Sequence, residues 1–240
     1  VLQQPGPDGQ PWQPDPPHAY CPRCGGDTGP GEATATGCHR CAHRPVPWDA
    51  AVRLSAYEGP LADAIHQMKF ARHWRLAHIL GQRLGQALTT RQHGRFAQPL
   101  SESNSRSATI SAACPPAAAH APFPGGVVHV PMHWRRRAHR GFDQAALMAE
   151  ALAATANLPH APLLRRIKHR PPQSTVVLSD RQRNIRGAYT LAPVDLRGQP
   201  VILVDDVLTT GATLTQCTRL LKQAGASPIT IAIAAVGHSR

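Results

Sequence analysis

Aromatic side chains are scarce in this sequence: Phe, Trp and Tyr make up 5% of its 240 residues. A core built from it has to be aliphatic. Acidic residues are scarce as well, with 14 Asp and Glu against 26 Lys and Arg, a formal net charge of +12. A field of that sign attracts phosphates, nucleotides and nucleic acids without choosing among them. Long apolar runs are missing, and no stretch approaches the roughly 18 apolar residues of a membrane-spanning helix. Residues 1–17 hold neither an apolar run nor a basic leader, so no signal peptide is predicted and a cytoplasmic location is expected. Six cysteines are too few for a disulfide scaffold of this length. Neither a Walker loop ending in Gly-Lys-Ser/Thr nor a GxGxxG turn occurs.

What is present divides the chain into five stretches. Residues 1–17 carry six prolines and are expected to be a flexible leader. Residues 18–48 hold two CxxC pairs. Residues 49–91 show helical spacing, with Leu61, Ile65 and Met68 on one face of a first run and Leu76, Ile79, Leu80, Leu84 and Leu88 at three- and four-residue spacing in a second, and are expected to form a hood-like helical segment. Residues 92–125, rich in Ser, Ala and Pro, read as a low-complexity insertion. Residues 126–240 alternate apolar strand runs with helical patterns, which predicts a parallel α/β sheet.

The chemistry concentrates in residues 201–214. Four apolar residues, Val201 to Val204, deliver Asp205 and Asp206 to the C-terminal end of a predicted strand, where open α/β sheets bind ligands. Thr209, Thr210, Gly211, Ala212 and Thr213 then lead into a predicted helix. Free amides and the helix dipole at such a start favour a phosphate. An anion cradle a few residues from two carboxylates suits a sugar phosphate, with the acids accepting hydrogen bonds from ribose hydroxyls. Carboxylates beside a pyrophosphate also suit Mg²⁺. The bland alternative, two turn acids followed by an ordinary helix cap, does not account for the whole run.

Two basic stretches stand apart. Arg135, Arg136, Arg137 and Arg140 crowd a predicted loop between a strand and a helix. Such a loop can neutralise a pyrophosphate through forked hydrogen bonds; it reads equally as a solvated basic turn. A second stretch runs from Arg165, Arg166 and Lys168 to Arg181, Arg183, Asn184 and Arg186. It fits a loop that closes over a charged substrate, and equally a solvated basic loop.

Cys21, Cys24, Cys38 and Cys41 form two knuckles separated by 13 residues. That spacing suits a closed, structural Cys₄ zinc site, with a redox CxxC as the competing reading. Cys217 falls at helical spacing with Leu214, Leu220 and Leu221 and is expected to be a packed core thiol.

Taken together these segments resemble the ComF family, known from competence protein F and GntX-like proteins, and through it the type I phosphoribosyltransferases. The resemblance rests on the order of Cys21 to Cys41, Tyr57-Glu58-Gly59-Pro60-Leu61, Lys69-Phe70, Arg140-Gly141-Phe142-Asp143-Gln144, Gln173, Arg181, Asn184 and the Val204-Asp205-Asp206 loop. It implies a type I phosphoribosyltransferase-like parallel sheet flanked by helices over residues 126–240, with a small N-terminal zinc ribbon. It implies that Asp205 and Asp206 bind the ribose of 5-phosphoribosyl-1-pyrophosphate (PRPP) and that residues 209–213 bind its 5-phosphate. It also implies a role in natural transformation, with single-stranded DNA or competence proteins as partners, and leaves open whether PRPP is turned over. Asp143 stands where the family usually has Asn, and is expected to cap the following helix. Thr209 stands where enzymes acting on 6-oxopurines carry an acid, which argues against hypoxanthine or guanine as acceptor.

Overall fold

A computed structural model describes residues 12–29, 31–34, 36–92, 121–168 and 187–237. In chain order these form β1 (Ala33–Thr34), β2 (Gly37–Cys38), α1 (His39–His43), β3 (Ala50–Ala56), α2 (Gly59–Phe70), α3 (Trp74–Gln92), β4 (Ala121–Pro122) and β5 (Gly126–His129). There follow α4 (Trp134–Arg140), α5 (Gln144–Ala156), β6 (Leu164–Arg166), β7 (Tyr189–Leu191), β8 (Val194–Asp195), β9 (Val201–Leu208), α6 (Ala212–Gln223) and β10 (Ile229–Val236). Among the described residues no helix is long and apolar enough to cross a membrane.

The centre is a four-stranded sheet in the order β3-β10-β9-β5, parallel throughout. Strands buried on both faces read as continuous apolar runs, and all eight residues of β10 are buried. Side chains alternate between faces along a strand. Val201 and Leu203 thus join a core beneath α6 with Cys217, Leu221, Ile231 and Ile233. Ile202 and Val204 join a second core beneath α2, α3 and α5, with Ile65, Met68, Leu84, Met148 and Leu152. Gly81 and Gly85 let α3 approach α5 closely: a Cβ on Gly85 would lie 2.6 Å from Cβ of Thr155.

The expected hood differs from what forms. Residues 49–91 supply helices α2 and α3, but they also supply β3, the edge strand beside β10. Arg53 hides this strand from a periodicity reading, because it places a charge inside an apolar run. In the fold its side chain is buried and pairs with Asp15 at 2.6 Å and with Asp27, while Nη1 donates to the Gly25 carbonyl at 2.9 Å. The leader differs too. Its residues 12–17 are held: the Asp15 amide donates to the Leu54 carbonyl at 2.6 Å, and Trp12 packs on the second core. At the far end of the expected insertion, β4 pairs with β8 and Phe123 is buried; residues 93–120 lie outside the described residues.

Candidate functional site

The acids arrive at the sheet's C-terminal edge because β9 continues four residues beyond the expected strand, to Leu208. Alternation then turns Asp205 toward the α6 face and Asp206 toward the α2 and α5 face. Asp206 is buried and already engaged. Its carboxylate accepts from Gln144 Nε2 at 2.8 Å and pairs with Lys69 Nζ at 3.0 Å. Asp205 is half-buried, and one of its oxygens accepts the Asp206 amide at 2.9 Å. Burial, and then the neighbouring Asp206 charge, hold the Asp205 carboxyl well above the usual carboxylate range.

Both acids line a cavity of about 320 Å³ at the sheet edge. Its other walls are the turn after β5 (Val130, Pro131, Met132), α4 (Arg136, Arg140), the start of α5 (Gln144), Arg166 of β6, Tyr189 of β7, Thr213 and Lys69. Arg136 and Arg166 have no acid within ion-pair distance among the described residues. The Arg166 Nε is buried with no hydrogen-bond partner among the described residues. Burial, then the charges of Arg166 and Arg140, push Arg136 below the usual guanidinium range. Cations crowded this way around a cavity await an anion.

A second hollow of about 50 Å³ shares Asp205 and Thr213 with the first and is otherwise lined by Val207, Leu208, Thr209, Thr210, Gly211, Ala212 and Leu214. Gly211 caps α6 with φ of 72°, a left-handed conformation that glycine adopts without strain. The first amides of α6 have no carbonyl one turn back and point into this loop. The local geometry is that of a phosphate cradle.

Asp143 caps α5 as expected, accepting from the amides of Ala145 at 3.1 Å and Ala146 at 3.3 Å. Its other oxygen accepts the Met132 amide at 2.8 Å, tying the β5 turn to α5. Asp143 also lines the cavity, and its charge adds to the upward push on the Asp205 carboxyl.

At the N-terminal end, Cys21, Cys24, Cys38 and Cys41 turn their sulfurs toward one another, all within 4.8 Å. Three of the Sγ···Sγ distances are 3.6, 3.8 and 3.9 Å. A tetrahedral zinc with Zn–S of about 2.3 Å requires sulfurs about 3.8 Å apart. The donor set and its spacing therefore fit such an ion. Gly25, at φ of 76°, lets the first knuckle lie on the sheet, where a Cβ would touch Ala51, Ile233 and Val236. Trp48 is buried beneath it and donates from Nε1 to the Arg23 carbonyl at 2.8 Å.

Residues 142–240 match the phosphoribosyl transferase domain. DNA utilization protein YhgH of Salmonella typhi is 29% identical over 214 residues, covering 89% of this chain and 82% of that protein. Competence protein F of Haemophilus influenzae is 27% identical over 215 residues, covering 88% of this chain and 82% of that protein. Over most of its length the chain is thus similar to a DNA utilization protein and a competence protein, and its C-terminal part to a phosphoribosyl transferase domain. A shorter match, 38% over 87 residues, joins it to adenine phosphoribosyltransferase of Mycobacterium marinum and covers 35% of this chain and 46% of that one.

In the C-terminal part the structure brings Asp205, Asp206 and residues 209–213 together at one sheet edge. Of the four clustered arginines, Arg136 and Arg140 line the large cavity, whereas Arg135 and Arg137 are exposed. The expected loop is a short helix, and successive residues on a helix point about 100° apart. His133 starts it by accepting the Arg135 amide on Nδ1 at 3.2 Å, and Gly141 ends it at φ of 89°. Arg181 and Arg183 lie outside the described residues. Sequence reasoning gave Lys69, Gln144, Arg166 and Tyr189 no individual role in the site. Lys69 and Gln144 sit in motifs that carry the family resemblance, and Arg166 sits in the second basic stretch. Only the fold joins them.

Proposed function

We propose that the sheet-edge cavity binds PRPP with Mg²⁺, and that the protein transfers the ribosyl 5-phosphate to an acceptor with release of pyrophosphate. The observation that carries this reading is the adjacency of two carboxylates, a helix-start cradle and arginines without acid partners. The cradle of Thr209, Thr210, Gly211, Ala212 and Thr213 takes the 5-phosphate. Asp205 and Asp206 hold the ribose hydroxyls. Arg136, Arg140 and Arg166 face the pyrophosphate. The second oxygen of Asp205 suits a hard cation, and Mg²⁺ would add charge neutralisation at the leaving group. As the bond from the anomeric carbon to pyrophosphate breaks and that to the acceptor forms, positive charge builds on the ribose and negative charge on the leaving group. Fixed charges placed for both lower the barrier.

The cysteine module holds a structural zinc in this reading, and thiolate ligands of this kind suit a reducing compartment such as the cytoplasm. The names of its relatives tie it to DNA utilization and competence, with incoming single-stranded DNA or competence proteins as partners. Thr209 argues against a 6-oxopurine acceptor, and the partial match to an adenine phosphoribosyltransferase points the same way. A second reading, nucleic-acid binding without turnover, is favoured by the exposed aromatic and basic surface beside the cavity.

Calorimetric titration of PRPP with Mg²⁺ into the zinc-loaded chain and into Asp205→Asn/Asp206→Asn tests the first reading. Saturable binding that the double variant loses supports it, and pyrophosphate release with an acceptor present establishes turnover. No heat from the intact chain overturns it.

A further inference from the structure

Four aromatic residues are exposed among the described residues; Phe70 and Trp134 sit on the helices that give the cavity Lys69, Arg136 and Arg140, and Trp74 starts the helix between them in sequence. Phe70 is 68% exposed at the end of α2, Trp74 52% at the start of α3, and Trp134 65% at the start of α4. A cation accompanies each. The Arg140 guanidinium lies 5.9 Å from the Phe70 ring, that of Arg75 5.6 Å from Trp74, and that of Arg135 5.3 Å from Trp134. Arg72 joins the two elements by donating to the His139 carbonyl at 3.0 Å. Residues 66–75 and 132–142 together contain seven Lys or Arg and no Asp or Glu.

An ordinary soluble surface offers no reason for three large rings to be bare within one acid-free patch. The hydrophobic effect disfavours their exposure. Basic side chains would neutralise a phosphate backbone. Planar rings beside them present faces on which unpaired bases stack, which a duplex cannot supply because its bases are already stacked. The cysteine module is different. It also carries basic residues, Arg40 and Arg44, but its aromatic neighbours Tyr20 and Trp48 are buried. Its exposed rings include the imidazoles of His39 and His43, which are packed against each other, with no exposed Phe, Tyr or Trp among its described residues.

We infer that Phe70, Trp74 and Trp134, with Arg72, Arg75 and Arg135, form a binding surface for single-stranded nucleic acid, and that this surface rather than the cysteine module carries the affinity. The inference rests on the nucleic-acid role proposed above and is independent of PRPP turnover. The surface adjoins the cavity through Arg140, which lies over Phe70 and donates to Gln144 Oε1 at 3.0 Å, the same Gln144 that holds Asp206. A strand laid along α4 therefore passes the cavity mouth.

The test uses the full zinc-loaded chain and a labelled oligo(dT), followed by fluorescence anisotropy at two salt concentrations, with tryptophan emission as a second readout. The expected result is binding that weakens steeply with salt and quenches tryptophan emission. Trp74→Ala/Trp134→Ala should lose at least tenfold in affinity, and Phe70→Ala several-fold. Arg40→Gln/Arg44→Gln on the cysteine module should stay within twofold of the parent. Circular dichroism of each variant separates lost binding from lost folding, and Trp74→Leu/Trp134→Leu repeats the test with bulky side chains retained. Absence of binding by the parent chain overturns the inference. So does undiminished binding by the folded aromatic variants, equal affinity for a duplex of the same length, or loss confined to the cysteine-module variant. A failed PRPP titration beside intact oligo(dT) binding would sink the transferase reading and leave this one standing.

Discussion

The cysteine module and the sheet-edge cavity handle their charged groups in opposite ways. In the module, four thiol donors face one another at the spacing one ion requires, and the rest of the module is tied down by Arg53 and Trp48. In the cavity, Asp205 is held at a raised pKa, Arg136 at a lowered one, and the Arg166 Nε has no partner among the described residues. The first arrangement satisfies itself with a single resident ion. The second is left with unmatched charges until a ligand enters. Structural sites gain stability from their polar groups, whereas binding sites give some up.

The sharpest way to break this contrast is to remove the module's ion. Structural zinc contributes roughly 10–16 kcal/mol of apparent binding energy in small zinc peptides. Cys41→Ser, or treatment with a strong chelator, should release the metal and lower the melting temperature markedly, read by metal analysis and calorimetry. A metal-free variant that melts with the parent would mean the module is held by its packing alone. Next comes Arg53→Ala, which removes the buried guanidinium that pairs with Asp15 and Asp27 and leaves a hole under the first knuckle. Breaking a buried pair costs about 3 kcal/mol, measurable by urea denaturation.

Smaller effects are expected at the cavity. Gly211→Ala forces a left-handed backbone on a residue with a Cβ, at about 1–2 kcal/mol, and sets that Cβ 3.3 Å from Leu208 Cδ1. PRPP binding should weaken with it, as calorimetry would show. The smallest effect has the opposite sign. Because Asp205 has a higher pKa folded than unfolded, it stabilises the protein at low pH and loses that contribution as pH rises through its folded value. Asp205→Asn should therefore raise stability by about 0.5–2 kcal/mol above that pH and change little below it. Melting curves across the acid-to-neutral range would show the two lines converging at low pH. Parallel lines would mean the carboxylate is not strained in the fold.

The loop from Asp205 to Thr213 was legible in the sequence because its strand, acids, hydroxyls and glycine are contiguous. So were the four cysteines, whose spacing alone states their chemistry. Lys69, Arg166 and Tyr189 were not legible as walls of the cavity that holds Asp205 and Asp206, since three different elements bring them to one edge. Arg136 and Arg135 were indistinguishable in a presumed loop, and separated only once α4 turned one toward the cavity and the other outward. Strand β3 was concealed by Arg53, whose charge belongs in a sheet only when Asp15 and Asp27 accompany it. Residues 12–17 of the expected leader were misjudged on composition for the same reason, because Asp15 has its partner elsewhere in the chain.

That edge strand has a consequence for synthesis. Asp49, just before β3, accepts the amide of Ile229, the first residue of β10, at a sequence separation of 180. At translation speeds of about 5–20 residues per second, β3 waits roughly 10–40 s for the neighbour that completes its hydrogen bonding. During that interval the cysteine module, which docks on β3, has emerged without its support, with thiols open to oxidation or to the wrong metal. Zinc capture on the nascent chain would close the module early and hold the first third of the protein ready until the last strand of the sheet arrives.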